Sequence, residues 1–337
     1  MSNLSPNRNV FTSGDATATP PVGVRKASKP EIHGALRVIL GSAAQLASDA
    51  QVVDFLRFAL YRGINLDDLW LVDRRGQVAW AVLPVVSPGR TMVLFSPPHV
   101  APTLQDTIAP HLIGHVLDEF RSRGTVLAQV LIDPADVSVI SLYGRCGFQR
   151  LAELLYFNRD LRRHEAPTLP GRFHVITYSP ERHNLFARAI SATYTDSLDC
   201  PALNGRRDVE DIIAGHKAVG NFDASTWLML LDRDEPLGVS LLNRSPHSEA
   251  MEIVYFGLVP LARGRGMGDL LMQQTLHTSV TANAKSLTLA VDSENVPALK
   301  LYKRYGLKEV CSRVAMMKDL READRTPLPS MPISSKK

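Results

Sequence analysis

The sequence predicts a mixed α/β protein made of two tandem copies of one fold. Strand-like and helix-like periodicities alternate along the chain, a set of residues recurs at a fixed spacing, and 337 residues suffice for two domains that each bury a core. The recurrence is the most informative of the three. Asp133, Val137, Leu142, Tyr143, Arg145 and Gly147 return as Asp292, Val296, Leu301, Tyr302, Arg304 and Gly306, each pair 159 positions apart (292 minus 133), and Asp160-Leu161 returns as Asp319-Leu320 at the same spacing. Such an ungapped repeat implies duplication of one unit.

Taken in order, residues 1–30 and 323–337 are rich in Ser, Thr, Asn and Pro and are expected to be disordered tails. Segment 164–171, with Pro167, Pro170 and Gly171 among few apolar residues, is expected to link the copies at 31–163 and 172–322. In the second copy Phe173 to Tyr178 reads as a strand, Pro180 to Thr195 and Asp208 to Ala218 as helices, and Trp227 to Leu231 with Gly238 to Leu242 as a hairpin. A strand from Met251 to Val259 then leads into a glycine loop. A helix from Gly268 to about Ala282, a strand Ser286 to Val291, a helix near Val296 to Tyr305 and a strand Arg313 to Lys318 complete it.

Composition narrows the function classes. With 45% hydrophobic and 21% charged residues, and its longest apolar stretch confined to Ala79–Val86, the chain has no run near the roughly 20 residues of a membrane helix. The N-terminus lacks the apolar core of a signal peptide, so a cytoplasmic protein without membrane association is expected. Cys146, Cys200 and Cys311 lie far apart without metal-ligand spacing, which argues against a disulfide framework or a metal site. A net charge of +4 with no dense basic block argues against nucleic-acid binding.

The loop Arg263-Gly264-Arg265-Gly266-Met267-Gly268 carries the chemistry. A strand followed by alternating glycines and a helix gathers free N–H groups at the positive end of a helix dipole, an environment suited to phosphate. Three readings compete: a turn without a ligand, a dinucleotide-binding unit with Asp292 on the ribose, and an acyl-CoA loop. The dinucleotide fingerprint needs a glycine where Asp269 stands, and four residues including Pro260 separate Val259 from Gly264.

Arg263, Gly266 and Gly268 fit the pyrophosphate loop of the GNAT acetyltransferase superfamily, and Asn295, Ala298, Leu301, Tyr302 and Gly306 fit its second motif; residues 172–321 resemble that superfamily. Leu307 departs from it, standing where an aromatic is usual. The resemblance implies two tandem GNAT-like domains, each a central, mostly antiparallel mixed sheet flanked by helices. It further implies acetyl-CoA as acyl donor, held by Phe256, Leu258, Val259, Arg263, Gly264, Arg265, Gly266, Met267, Gly268, Asp269 and Asn295. The first copy shares the fold but not the loop: the positions 159 before Arg263, Gly266 and Gly268 are Leu104, Thr107 and Ala109.

Acetyl transfer to an amine needs a base, polarisation of the carbonyl and a proton for the departing thiolate. Glu252, eleven residues before Arg263, occupies the spacing of the general-base glutamate of similar histone acetyltransferases. Strand alternation puts it on one face with Val254 and Phe256, an apolar setting that raises a carboxyl pKa. An edge-strand carboxylate in water is its alternative. Tyr302 is the general-acid candidate by resemblance, with core packing the alternative, and Asn295 holds either the cofactor arm or a helix N-cap. Asp196, Asp199 and Asn204 lie where related proteins shape the acceptor site. The expected function is N-acetyltransfer from acetyl-CoA to a small-molecule or peptide amine; a non-catalytic acyl-CoA-binding module and a nucleotide-dependent oxidoreductase are the competing readings.

Overall fold

The computed structural model describes residues 23–42, 44–74, 77–161, 168–246 and 248–321. Most of both expected tails, and residues 164–167 of the expected linker, lie outside them. The first tail ends earlier than residue 30. Val24–Lys26 forms strand β1, and the Ser28/Glu31 capping box starts helix α1 (Lys29–Ile39).

The first half continues with α2 (Asp49–Tyr61), β2 (Trp70–Arg74), β3 (Gln77–Ser87), β4 (Thr91–Phe95), α3 (Pro102–Gln105), α4 (Ile108–Ser122), β5 (Leu127–Ile132), α5 (Val137–Arg145) and β6 (Gln149–Asp160). The second half repeats the plan with β7 (Phe173–Thr177), α6 (His183–Tyr194), α7 (Val209–Ala218), β8 (Asn221–Asp232), β9 (Glu235–Arg244), β10 (Ala250–Leu258), α8 (Met267–Thr281), β11 (Ser286–Asp292), α9 (Val296–Arg304) and β12 (Lys308–Asp319). The apolar run at Ala79–Val86 becomes β3, whose central residues are buried on both faces. That is the burial expected of an interior strand.

All twelve strands form one sheet in the order β1-β2-β3-β4-β5-β12-β6-β11-β10-β9-β8-β7. The halves are not simply juxtaposed: each gives its last strand to the other. β6 pairs with β11 and β12, while β12 pairs with β5 and β6. Leu154 faces Arg313 in this seam, and 313 minus 154 is the repeat spacing, so a pseudo-twofold axis passes through that pair. The cores follow the exchange. Val314 and Met316 pack with the first half's α4 and α5, and Phe157 packs with α8 and α9.

Pairing is antiparallel except for β4–β5 and β10–β11. One face of the sheet carries α4, α5, α8 and α9. The other carries α1 with α2 at one end and α6 with α7 at the opposite end. Between those two helix pairs the central strands are left open: Leu131 on β5 is 44% exposed, and its repeat equivalent Ala290 on β11 is also exposed.

Candidate active site

β10 follows β9 as far as Leu258 but pairs with β11 only up to Ile253–Leu289, so the two parallel strands splay apart beyond that point. A register shift between Ile253 and Tyr255 bends β10 there. The splay opens a cleft of about 430 Å³ lined by Tyr255, Phe256, Gly257, Leu258, the glycine loop, Ala298, Leu301 and Tyr302.

Val259-Pro260 ends β10, a 3-10 turn spans Pro260–Ala262, and the loop then runs into α8. Gly266 precedes the helix with φ 77° and ψ 0°, a left-handed conformation costly for any residue with a Cβ. A Cβ built on it would meet nothing within 4 Å, so open space lies beside the loop there. The N–H groups of residues 264–268 have no main-chain acceptor among the described residues. They converge at the N-terminus of a 15-residue helix, which favours an anion.

Arg263 lines the cleft and is held from several sides. Its guanidinium donates to the carbonyls of Leu258 (3.1 Å), Asp196 (2.9 Å), Thr193 (2.9 Å) and Thr195 (2.7 Å). The side chain caps α6 and ties the 193–196 turn to the glycine loop. Val259, Arg265 and Met267 do not line the cleft, and the Val259 N–H is taken by the Leu237 carbonyl at 3.0 Å. Phe256, Leu258, Arg263, Gly264, Gly266, Gly268, Asp269 and Asn295 do line it. Asp269 pairs with Arg304 at 2.8 Å across its mouth, and Asn295 caps α9 by accepting from the Ala298 N–H at 3.3 Å.

Tyr302 is buried in the cleft wall near Phe256, with ring centroids 6.2 Å apart. Its hydroxyl makes no hydrogen bond among the described residues, and burial raises its pKa, with Asp199 adding to the rise. Of the three acceptor-side candidates, Asp196 and Asp199 line the cleft, whereas Asn204 lines a separate hollow of about 220 Å³ with Tyr194 and Arg207. Asp199 accepts from the Asp292 N–H at 3.3 Å while Asp292 accepts from the Cys200 N–H at 3.1 Å. Burial raises the Asp199 pKa, opposed by the hydrogen bond from the Asp292 N–H and reinforced by the Asp292 charge. With its other oxygen capping the Glu294 N–H, Asp292 has a structural task where the dinucleotide reading required a ribose.

Glu252 lies on β10 before the splay. Because of the bulge, Phe256 packs on the α8/α9 face, whereas Glu252 sits with Val254 and Tyr255 on the α6/α7 face, which corrects the expectation from simple alternation. Glu252 is no edge carboxylate: Asn243 and Thr288 flank it on neighbouring strands. Burial raises its pKa, opposed by the Arg62 guanidinium. Sequence reasoning missed the ring stack behind it, where His216 and Tyr194 lie against Tyr255 at 5.3 and 5.2 Å. It also missed Tyr156, which only the strand exchange brings to this face.

The equivalent loop of the first half is built differently. Leu104 and Ala109, the counterparts of Arg263 and Gly268, are buried in the core. Pro97 and Pro98 follow β4 at the repeat positions of Phe256 and Gly257, removing the N–H groups of the splayed strand.

A family model described as the acetyltransferase (GNAT) family matches residues 192–307, the span that contains the splay, the glycine loop and α9. Over those residues the chain matches the GNAT family. Among curated relatives, a mycothiol acetyltransferase of Actinosynnema mirum is 29% identical over 168 residues, covering 49% of this chain and 54% of that protein. The chain thus matches about half the length of that relative. The peptidyl-lysine N-acetyltransferase YjaB of Salmonella typhimurium is 27% identical over 124 residues, 37% of this chain and 72% of that one. A GCN5-related N-acetyltransferase from Sphaerobacter thermophilus shares the fold over 95% of this chain and 100% of its own, with TM-score 0.61 and 16% identity. Among the described residues no helix is long and apolar enough to cross a membrane.

Proposed function

We propose that the chain is an N-acetyltransferase that takes its acetyl group from acetyl-CoA and passes it to the amine of a small molecule or peptide. The observation that carries this reading is the splay of β10 from β11, with the unpaired N–H groups of 264–268 at one end and Glu252 at the other. The pyrophosphate fits the helix N-terminus and the pantetheine arm fits the splay, where β10 has main-chain groups unpaired by β11. Glu252, its pKa raised by burial, removes a proton from the attacking ammonium. The nitrogen attacks the thioester carbon, and β10 N–H groups stabilise the oxyanion. Tyr302 reaches the cleft from α9, on the opposite sheet face from Glu252, and protonates the departing thiolate.

The test is thiol release from acetyl-CoA with a panel of amines, beside a melting-temperature panel of acetyl-CoA, longer acyl-CoAs, CoA, NAD and NADP. The reading expects amine-dependent thiol release and stabilisation by CoA compounds alone. CoA binding without release for any amine would make the chain a non-catalytic acyl-CoA module, and stabilisation by NAD or NADP alone would reject both.

A further inference from the structure

The exchanged strand changes who owns the acceptor side. On β6, Tyr156 and Asn158 point to the face opposite Phe157, and Asn158 pairs with Thr288, which in turn pairs with Glu252. Glu252, Thr288 and Asn158 therefore form one row across three strands, the last belonging to the first half. Tyr156 sits two residues along, opposite the exposed Ala290. The Asn158 side-chain oxygen is buried with no hydrogen-bond partner among the described residues.

The first half also reaches in from above. Asn243, beside Glu252, holds the His216 carbonyl at 2.7 Å and the Val219 carbonyl at the C-terminus of α7. In the same turn the Ala218 carbonyl accepts from Arg62, at the end of α2, at 3.1 Å. Tyr61 and Asn221 hydrogen-bond alongside at 3.3 Å. Arg62 is half-buried and has no carboxylate within ion-pair distance among the described residues. The sheet face between α2 and α7 thus brings together the Glu252 carboxylate, the Arg62 guanidinium whose charge it feels and which has no carboxylate partner among the described residues, and a tyrosine from the exchanged strand.

We propose that the acceptor site is shared between the halves and takes an amine that also bears a carboxylate, its nitrogen toward Glu252 and its carboxylate toward Arg62, with Tyr156 lining the path between. The proposal rests on the acetyltransferase reading but specifies what that reading leaves open. An ammonium and a carboxylate on one small molecule match the two fixed charges, and guanidinium–carboxylate pairing is geometrically selective. Arg62 is then a specificity residue contributed by the half that has no CoA loop.

The experiment uses the full chain with matched acceptors, amino acids and the amines left on removing their carboxyl group, compared by kcat/KM in the wild type, Arg62→Ala and Arg62→Lys. Wild type is expected to favour the carboxylated members by on the order of 10- to 100-fold. Arg62→Ala should collapse that ratio to about one, with Arg62→Lys in between. Calorimetry of the CoA complex with N-acetylated amino acids and their decarboxylated counterparts reads the same preference without turnover. If no amine is acetylated but the carboxylated ligands still bind better through Arg62, the catalytic reading fails and this one stands. A preference that is absent in wild type, or unchanged in Arg62→Ala with normal acetyl-CoA affinity and melting temperature, overturns it.

Discussion

Equivalent tyrosines in the two halves have different surroundings. Tyr143 is fully buried and its hydroxyl bonds the Ser96 side chain at 3.0 Å, whereas Tyr302 turns its hydroxyl into an open cleft without a partner. The strands beside them diverge in the same way. β4 stops at Phe95 before two prolines and its loop region folds into α3 and α4, while β10 runs on to Leu258 and ends in an open glycine loop. One half has spent its site on packing; the other has kept the space. Duplication thus allows one unit to supply walls and a strand while its twin retains the chemistry.

The largest expected effect breaks that comparison at the base. Glu252→Gln should lower turnover at pH 7 by a factor on the order of 10² to 10⁴ with acetyl-CoA affinity preserved, since it removes a proton acceptor without altering shape. Wild-type rate should rise with pH through the raised Glu252 pKa, as the carboxylate forms. The variant should lose that limb and recover partly at high pH, where free amine is present. A pH–rate series from 6 to 9 checks it, and unchanged turnover would remove Glu252 from the mechanism.

Next is a difference in acid stability. α7 carries His216, half-buried and stacked on Tyr255 with its pKa pushed down to about 3 by desolvation, while its counterpart α2 has no histidine. A lowered folded-state pKa means the neutral ring's contribution is whole above the unfolded value near 6.5 and is lost as pH falls. The loss should reach roughly 2 kcal/mol by pH 5. Denaturant unfolding at pH 7 and pH 5 should show that loss in wild type and much less of it in His216→Phe.

The tyrosine pair gives the smallest and most selective effect. Tyr143→Phe should cost about 1 kcal/mol of stability by stranding the Ser96 hydroxyl and leave turnover alone. Tyr302→Phe should leave unfolding nearly unchanged and slow turnover by roughly tenfold or more. Unfolding curves and steady-state rates on both variants decide, and equal behaviour of the two would erase the distinction drawn between the halves.

Much of this was legible in the sequence, for identifiable reasons. The repeat revealed the duplication because identity at fixed spacing survives where side chains pack, as at Tyr143 and Tyr302. The glycine loop was legible because Gly264 and Gly266 need positive φ. Strand exchange was not, since β6 and β12 would alternate identically beside their own half or the other's. The face of Phe256 was misjudged because a bulge leaves no mark in the residue pattern. The four carbonyls that accept from Arg263 were not legible either, because spacing gives no direction to a long side chain.

Titration of the full chain with acetyl-CoA by calorimetry tests the central asymmetry most directly. One equivalent is predicted, abolished by Gly266→Val, because the second half offers free N–H groups and a left-handed glycine at the start of α8, where the first half has Thr107 and Ala109. A stoichiometry near two, with one equivalent surviving Gly266→Val, would contradict the account.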